Sequence, residues 1–269
     1  MPSVSWRRRE QVAELLKLRG YVSVEDLSKA LGVSAPTIRK DLTALEHQGL
    51  AMRTHGGAVL VPLVRTTEDL PFARRADLMR GAKERIGRLV ADAIEDHDTV
   101  IFDASSTVWF ALPFLAGRRI TLLTNVAGAI LDRVAEFEGI TLISTGGLLR
   151  SDGSSFCGPL AEDAIAQFWA DKAFISPLGI SIKRGFTHAN PLEAHLRRRI
   201  IEATNRVFVC ADHSKFGHAR LAQIAPLSAA HVILTDVEPA DMFREFFDAH
   251  GIEVRVAQSL ATDGQAAPG

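Results

Sequence analysis

The chain has 269 residues, of which 47% are apolar or aromatic and 23% are charged. This composition is typical of a soluble globular protein and excludes a disordered chain, and the length favours two domains. No apolar run reaches the roughly 20 residues that a membrane helix needs, and the first residues lack the apolar stretch of a signal peptide. Because Cys157 and Cys210 are too few for a disulfide scaffold, we expect a cytoplasmic protein.

The net charge of −1 hides an asymmetry along the chain. Residues 1–60 contain nine Lys or Arg and six Asp or Glu, a net charge of +3, which leaves −4 for the remainder. The basic side chains include the run 7–9 together with Arg39, Lys40 and Arg53. A small basic region of this kind predicts a polyanionic partner for the amino-terminal part of the chain.

Residues 1–60 show the spacing of three short helices followed by a wing. Val12 and Leu16 recur at helical spacing in the first helix. Ser23, with an acidic residue three positions later, is the predicted N-cap of the second helix, and Ser34 is that of the third. Three helices with a tight turn before the third predict a helix-turn-helix, and residues 50–59 predict two short strands around a Gly-Gly turn.

The third helix is the predicted DNA-reading element. Its side chains opposite the apolar face can reach phosphates and base edges in the major groove of a duplex. The predicted DNA-binding residues are Ser34, Thr37, Arg39, Lys40, Thr43, Arg53 and His55.

Each of these assignments has a structural alternative. The cations can form an ordinary solvated face, and His55 can stabilise the turn of the wing instead of contacting DNA. The arginines 7–9 are either a surface run or an additional phosphate contact. Asp41 lies beside the apolar face of the third helix, so we expect it to pair with a neighbouring helix.

Residues 61–79 are the predicted linker, and residues 258–269 are a predicted disordered tail. Between them, residues 80–257 alternate short β-rich runs with helical stretches, which predicts a largely parallel α/β sheet with helices on both faces. The predicted strands are 99–102, 120–123, 140–144, 172–175, 206–210, 231–235 and 252–256, and the predicted helices are 82–96, 106–116, 126–138, 158–169, 191–204 and 239–249.

Polar residues follow several of the predicted strands. In open α/β sheets, ligands bind beyond the carboxyl ends of the strands, where hydroxyls, amides and cations suit a phosphorylated polyol. The predicted effector-binding residues are Asp103, Ser105, Ser106, Thr107, Asn125, Gly146, Gly147, Arg150, Thr187, Asn190, Glu193, Arg197, Asp212 and Lys215.

Structural roles remain open for several of these residues. Ser105 can simply cap a helix, and Lys215 can be an ordinary surface lysine. Asp103, Glu193 and Asp212 can order the backbone or pair with Arg197. The histidines lack the spacing of a zinc site, so no metal, cofactor or catalytic residue is predicted.

These residues resemble a known family. Residues 34–42 (SAPTIRKDL) and 53–58 (RTHGGA) are similar to the DNA-binding signature of DeoR-type bacterial transcriptional regulators. The order and spacing of 103–107, 124–125, 146–147, 185–187, 190–194 and 212–217 resemble the effector domain of that family, so the resemblance covers roughly residues 5–257. It implies a winged helix joined to a domain similar to ribose-5-phosphate isomerase.

Three positions depart from the family pattern. Ser105 stands where the family usually has Gly, so the turn there must suit a residue with a side chain, or its phosphate contact changes. Arg197 stands where the family has Lys, with a different reach. Residues 176–179 (SPLG) differ from the commoner family sequences, and they lack the acidic cluster found at this place in the isomerase relatives.

The resemblance implies a repressor of carbohydrate genes that a sugar phosphate releases from its operator. Its expected partners are double-stranded operator DNA and a phosphorylated sugar, with no membrane, and a homodimer or homotetramer is expected. Because residues 176–179 contain no carboxylate, we predict that the protein is not an enzyme. A sugar-phosphate isomerase with a DNA-binding appendage is one alternative, and an activator of the same architecture is another.

Overall fold

The structure, a computed structural model, describes residues 4–19, 21–47, 51–54, 56–60, 72–150 and 154–258. Its amino-terminal part contains three helices and a small antiparallel sheet with the strand order β1-β3-β2. These elements are α1 (Val4–Arg19), β1 (Tyr21–Ser23), α2 (Val24–Leu31), α3 (Ala35–His47), β2 (Ala51–Arg53) and β3 (Gly57–Leu60).

The three predicted helices are present and enclose one small core. Val12, Leu16, Ile38 and other apolar side chains of the three helices are buried together. The predicted cap of α2 is confirmed, because the Ser23 hydroxyl accepts a hydrogen bond from the backbone N–H three residues later. These contacts fix α3 against α1 and α2 and leave its opposite face in solvent.

The predicted wing is confirmed as β2 and β3, and the sequence did not predict the third strand, β1. β1 pairs with β3 so closely that a Cβ on Gly57 would lie 2.0 Å from the carbonyl oxygen of Val22. Only glycine fits at that position. The Gly-Gly turn therefore serves the packing of the wing on the helices as well as the reversal of the chain.

The larger part of the molecule is built on a seven-stranded parallel sheet with the order β15-β14-β12-β9-β4-β5-β6. The seven predicted strands are all present, with ends within two residues of the predicted ones. They are β4 (Thr99–Phe102), β5 (Ile120–Thr124), β6 (Ile140–Ser144), β9 (Ala170–Ile175), β12 (Thr204–Cys210), β14 (Val232–Thr235) and β15 (Glu253–Val256).

Helices cover both faces of this sheet, as predicted. One apolar core packs α8, α9 and α10 on one face, and a second core packs α5, α6 and α7 on the other. The helices are α4 (Phe72–Asp77), α5 (Arg80–Asp92), α6 (Ser106–Trp109), α7 (Ala129–Ala135), α8 (Pro159–Ala166), α9 (Pro191–Glu202) and α10 (Asp241–Ala249), with short 3-10 turns at Leu112–Leu115, His213–Lys215 and Leu227–Ala229.

Short antiparallel strands that the sequence did not predict complete the domain. A three-stranded sheet has the order β10-β11-β13, and a two-stranded hairpin pairs β7 with β8. These strands are β7 (Leu148–Leu149), β8 (Phe156–Cys157), β10 (Gly179–Ser181), β11 (Gly185–His188) and β13 (Ala222–Ala225).

The order of the strands places a crevice at the centre of the parallel sheet. β4 and β9 are neighbours, and the chain continues from β4 toward one edge and from β9 toward the other. A reversal of this kind separates the connections above the carboxyl ends of the two strands, and it is where ligands bind in open α/β sheets. Residues 103–107 and 176–179 leave the sheet at this point.

The predicted linker and tail are only partly described. Residues 61–71 lie outside the described residues, whereas α4 occupies 72–77 of the stretch predicted as linker. Of the predicted tail, residues 259–269 lie outside the described residues. The chain thus enters the larger domain through a short helix.

Candidate functional site

The exposed face of α3 carries the predicted DNA-binding residues. Ser34, Arg39 and Lys40 are exposed, while Thr37 and Thr43 are half-buried at its margins. The Ser34 and Thr37 hydroxyls are 3.0 Å apart. Two cations and three hydroxyls on one side of a helix are the kind of groups that contact phosphates and base edges.

The wing is linked to this face through Arg53. Its Nη1 donates to the hydroxyl of Thr43 at 3.2 Å, and its backbone N–H donates to the carboxylate of Glu46 at 3.0 Å. Arg53 remains exposed and adds a third cation beside α3. His55, the seventh predicted DNA-binding residue, lies outside the described residues.

The expectation that Asp41 pairs with a neighbouring helix is confirmed. Asp41 is 4% exposed, and Arg8 of α1 donates to it from Nε at 2.5 Å and from Nη2 at 3.3 Å. Nε of Arg9 is 3.9 Å from the same carboxylate. Asp41 therefore holds α3 on α1 and neutralises part of the basic run.

A cavity of about 250 Å³ lies at the crevice above β4 and β9. Five predicted effector-binding residues contribute to its wall, namely three from the loop after β4 and two from the loop after β12. Its lining residues are Arg75, Leu78, Met79, Lys83, Ser105, Ser106, Thr107, Ser176, Leu178, Asp212, Ser214, Lys215 and Arg220.

Four of the residues that line the cavity are cations, and Asp212 is its one lining carboxylate. The carboxylate of Asp212 accepts hydrogen bonds from the backbone and hydroxyl of Ser214, so it caps the turn that carries Lys215. Arg75 is 3% exposed and Lys83 is 5% exposed. Four cations and one carboxylate give this wall a net positive charge, which favours an anionic ligand.

Asp103 lies behind the cavity and fixes the loop after β4. One of its oxygens accepts hydrogen bonds from the N–H and hydroxyl of Ser105, and the other accepts from the N–H of Ser176 at 2.9 Å and from Nε of Arg197 at 2.7 Å. Ser105 has φ −83°, which any residue adopts. The replacement of the usual Gly by Ser105 therefore needs no left-handed backbone here.

A buried charge network connects α9 to the hairpin loop. Nη1 of Arg197 donates to Glu193 at 2.6 Å, the Ser155 hydroxyl donates to Glu193 at 2.5 Å, and Arg150 lies 3.4 Å away. Burial would raise the pKa of Glu193, but Arg197, Arg150, the charge on His188 and the Ser155 hydrogen bond together lower it to about 2. Arg150, Glu193 and Arg197 are not among the residues that line the cavity.

The two predicted asparagines hold local structure. The amide of Asn125 donates to the carbonyl of Phe156 at 3.0 Å, which connects β5 to the hairpin. The side chain of Asn190 caps α9 by accepting from the N–H of Leu192 at 2.9 Å. Neither asparagine is among the residues that line the cavity.

The remaining predicted residues also lie outside the lining of the cavity. The hydroxyl of Thr187 donates to the carbonyl of Gly179 and accepts from the N–H of Arg220, so it positions the loop that carries this cation. Gly146 and Gly147 have φ of +59° and +115°, values that favour glycine. They shape the turn between β6 and the hairpin.

The sequence did not predict three of the four cations of the cavity, namely Arg75, Lys83 and Arg220. Arg75 falls in the stretch interpreted as linker, and Arg220 lies in a loop without a motif. Lys83 did give a signal, because it occupies the same buried face of α5 as Ile86 and Val90. A cation on the apolar stripe of a helix predicts a buried partner.

Two further properties concern the described residues only. Within them, no group of three or more His, Cys, Asp or Glu side chains could hold a metal ion. Among the same residues, no helix is both long and apolar enough to cross a bilayer.

Comparisons with known proteins agree with both halves of the chain. A DeoR-like helix-turn-helix domain matches residues 8–62, and a DeoR C terminal sensor domain matches residues 79–237. The transcriptional repressor AccR of Agrobacterium fabrum is 38% identical over 231 residues, 85% of this chain and 88% of that protein. The glycerol-3-phosphate regulon repressor of Escherichia coli is 32% identical over 254 residues, 93% of this chain and 98% of that protein.

A solved structure gives a weaker likeness. Ribose 5-phosphate isomerase A from Methanocaldococcus jannaschii superposes with a TM-score of 0.37 and 11% identity, over 51% of this chain and 54% of that one.

A winged helix with an exposed cationic face, joined to an α/β domain with a cavity lined by four cations at its crevice, defines a DNA-binding regulator that carries its own sensor domain. The chain belongs to the DeoR family of transcriptional regulators, as the sequence predicted.

Proposed function

We propose that this protein represses genes of carbohydrate metabolism and that a phosphorylated sugar, bound in the cavity, releases it from operator DNA. The observation that carries the proposal is the wall of the cavity, which contains four cations and the hydroxyl residues Ser105, Ser106 and Thr107 but only one carboxylate, that of Asp212. The relatives named as repressors, one of them of a glycerol-3-phosphate regulon, support the direction of regulation.

Residues 1–60 form the proposed DNA-binding domain. Arg39, Lys40 and Arg53 contact phosphates or base edges, and Ser34, Thr37 and Thr43 provide further hydrogen bonds. His55 of the wing belongs to the same proposed set. Because the partner is chromosomal DNA, the protein acts in the cytoplasm.

Residues 80–257 form the proposed effector domain, which α4 of the preceding segment completes. Ser105 to Thr107 and Lys215 bind the phosphate group, because their loops meet at the crevice. Asp103, Arg197 and Glu193 hold these loops in place through the buried network. Asp212 is the proposed ligand of the sugar hydroxyls. The other predicted residues lie outside the lining of the cavity and are proposed to hold the loops in place, namely Asn125, Asn190, Thr187, Arg150, Gly146 and Gly147.

The proposed mechanism couples two binding equilibria. A homodimer presents two copies of α3 to two half-sites, and the effector stabilises an arrangement that no longer matches their spacing. A differential affinity of about 1–3 kcal/mol per site is sufficient for a useful response. The structure describes one chain, so the dimer or a tetramer is part of the proposal.

The ligand is bound and not turned over. Aldose–ketose isomerisation needs a carboxylate that moves a proton between adjacent carbons. Residues 176–179 after β9 contain no carboxylate, and the carboxylate of Asp212 already accepts hydrogen bonds from Ser214. Relatives of this chain are named as transcriptional regulators, in agreement with this part of the proposal.

A gel shift tests the proposal directly. The DNA upstream of the neighbouring genes is mixed with the protein and titrated with ribose 5-phosphate, glucose 6-phosphate, sn-glycerol 3-phosphate and other sugar phosphates. We expect at least one compound to release the DNA and to be recovered unchanged. Turnover of any compound at an ordinary enzymatic rate would overturn the non-enzymatic part, and retention of the DNA with every compound would overturn the effector part.

A further inference from the structure

Arg75 is the cavity residue that stands nearest in sequence to the DNA-binding domain. It belongs to α4, the six-residue helix that directly follows residues 61–71. Its side chain is buried and lines the cavity together with Lys215 and Arg220, which belong to the segment between β12 and β13. An anion in the cavity therefore has cations of two separate parts of the chain around it.

Lys83 connects α4 to the loop after β4. Its ammonium donates to the backbone carbonyl of Arg75 at 2.5 Å and to the hydroxyl of Ser106 at 3.1 Å. α4 also packs against α6, the short helix that begins at Ser106. The position of α4 is thus fixed by the same hydroxyl-rich loop that forms the wall of the cavity.

We propose that Arg75 binds the phosphate of the effector and, with Lys83, transmits occupancy of the cavity to α4 and so to the segment that leads to the winged helix. This inference rests on the proposed function. It adds Arg75, which lies outside the loops at the strand ends, to the effector site. It also identifies α4 as the element through which effector binding changes the affinity for DNA.

The physical reason is that one anion can contact both members of this connection. A bound phosphate accepts charge-assisted hydrogen bonds from Arg75 of α4 and from Lys83, which itself donates to the carbonyl of Arg75 and to the hydroxyl of Ser106. α4 is then held more firmly against the loop, which is a differential contact of the kind that coupling requires.

The first experiment separates affinity from coupling. Operator affinity is measured without effector and at saturating effector, for whichever of ribose 5-phosphate, glucose 6-phosphate and sn-glycerol 3-phosphate releases the wild type. Arg75→Met, which retains the length of the side chain, is expected to bind the effector more weakly and to lose most of the effector-induced fall in operator affinity even at saturation, each variant being compared with its own operator affinity without effector.

Arg220→Ala is the matched control, because Arg220 lines the same cavity but lies in the loop before β13. We expect it to need roughly tenfold more effector and to reach the full fall in operator affinity at saturation. Full release of Arg75→Met at saturating effector would overturn the inference.

The second experiment needs no DNA and no sugar phosphate. Hydrogen exchange of a peptide covering residues 72–79 is measured in inorganic phosphate and in chloride of equal ionic strength. We expect phosphate to slow exchange in the wild type and in Arg220→Ala, and to leave it unchanged in Arg75→Met. Equal exchange of the wild-type peptide in the two salts would overturn the inference.

The two experiments also distinguish this inference from the proposed function. If phosphate protects α4 through Arg75 and no sugar phosphate releases the operator, the anion contact of α4 stands and the proposed function fails. If a sugar phosphate releases the operator and Arg75→Met responds fully at saturation, the function stands and the inference fails.

Discussion

Both halves of this protein carry arginine and lysine side chains at their candidate sites, but these side chains are exposed in one half and buried in the other. Arg39, Lys40 and Arg53 of the winged helix are exposed, whereas Arg75 and Lys83 of the sensor half are buried at a cavity of about 250 Å³. Exposed cations along a helix suit a long polyanion, and their binding weakens as salt rises. Buried cations admit one enclosed anion at a time. Exposure, more than residue type, therefore indicates which half binds which partner.

Ion pairs follow the same division. Lys29 and Glu25 form an exposed ion pair on α2, whereas Arg197 forms a buried network with both Glu193 and Asp103. Solvent screens the first pair and stabilises its members when they separate. The second network has no such compensation, since removing one member leaves an uncompensated buried charge.

The largest expected effect is on the buried network. Glu193→Gln removes the carboxylate that Arg197 and Arg150 share. We expect the free energy of unfolding to fall by about 3–5 kcal/mol, measured by urea denaturation with circular dichroism. A loss below about 1 kcal/mol would show that the network contributes little to stability.

The pH dependence of stability gives an independent check of the same residue. The pKa of Glu193 is lowered from its ordinary value of 4.5 to about 2 in the folded protein, so the unfolded state binds the proton more tightly. The resulting stabilisation, about 3 kcal/mol, is present above pH 4.5 and is lost as the pH falls towards 2. We expect the free energy of unfolding of Glu193→Gln, measured by urea denaturation at a series of pH values, to lack this pH-dependent component. An equal dependence on pH in both proteins between pH 4.5 and 2 would contradict the prediction.

The next largest effect concerns the cavity. Lys215→Ala removes one cation from its wall. Effector affinity is expected to fall by about 1.5–3 kcal/mol while operator affinity without effector stays unchanged, which yields a repressor that remains on DNA. Calorimetry and gel shifts measure the two quantities. Lys183→Ala, at an exposed lysine outside the lining of the cavity, is the control and should change neither.

Lys40→Ala is expected to give the reverse pattern. Operator affinity should fall by about 1–3 kcal/mol, and if Lys40 contacts a phosphate, the slope of log affinity against log salt should decrease by about 1. Effector affinity should be unaffected. A variant that binds operator like the wild type at every salt concentration would show that α3 docks differently.

The smallest effect is expected at the exposed pair. Glu25→Gln should change the free energy of unfolding by no more than about 0.5 kcal/mol, because a solvated i,i+4 pair contributes little. Set beside Glu193→Gln in the same urea titration, it isolates the effect of burial. Comparable losses of unfolding free energy in the two variants would contradict the contrast between exposed and buried ion pairs.

Local patterns in the sequence were sufficient for the architecture of the molecule. The apolar spacing around Val12, Leu16 and Ile38 predicted the three helices, and the β-rich runs predicted all seven parallel strands. The pairing of Asp41 followed from its place beside the apolar face of α3. In each case the signal lies within one turn of helix or one strand.

Features that depend on distant parts of the chain were not predicted. β10, β11 and β13 have three or four residues each, and β11 pairs with β13 across more than 30 intervening residues. Arg75 and Lys215 are 140 positions apart in the sequence and line the same cavity only through the tertiary fold. Nine of the predicted effector residues lie outside the lining of the cavity. Among them, Asp103 and Glu193 are held by buried hydrogen bonds, to the backbone of Ser176 and to the hydroxyl of Ser155.

The central claim is that the exposed and the buried cationic sites are thermodynamically linked. The most direct test is to titrate the sugar phosphate that releases the operator into the protein twice, once alone and once with saturating operator DNA, and to measure both affinities by calorimetry. Linkage predicts that the operator weakens effector binding by the same factor by which the effector weakens operator binding, roughly 5–150-fold. Equal effector affinities in the two titrations would contradict the claim.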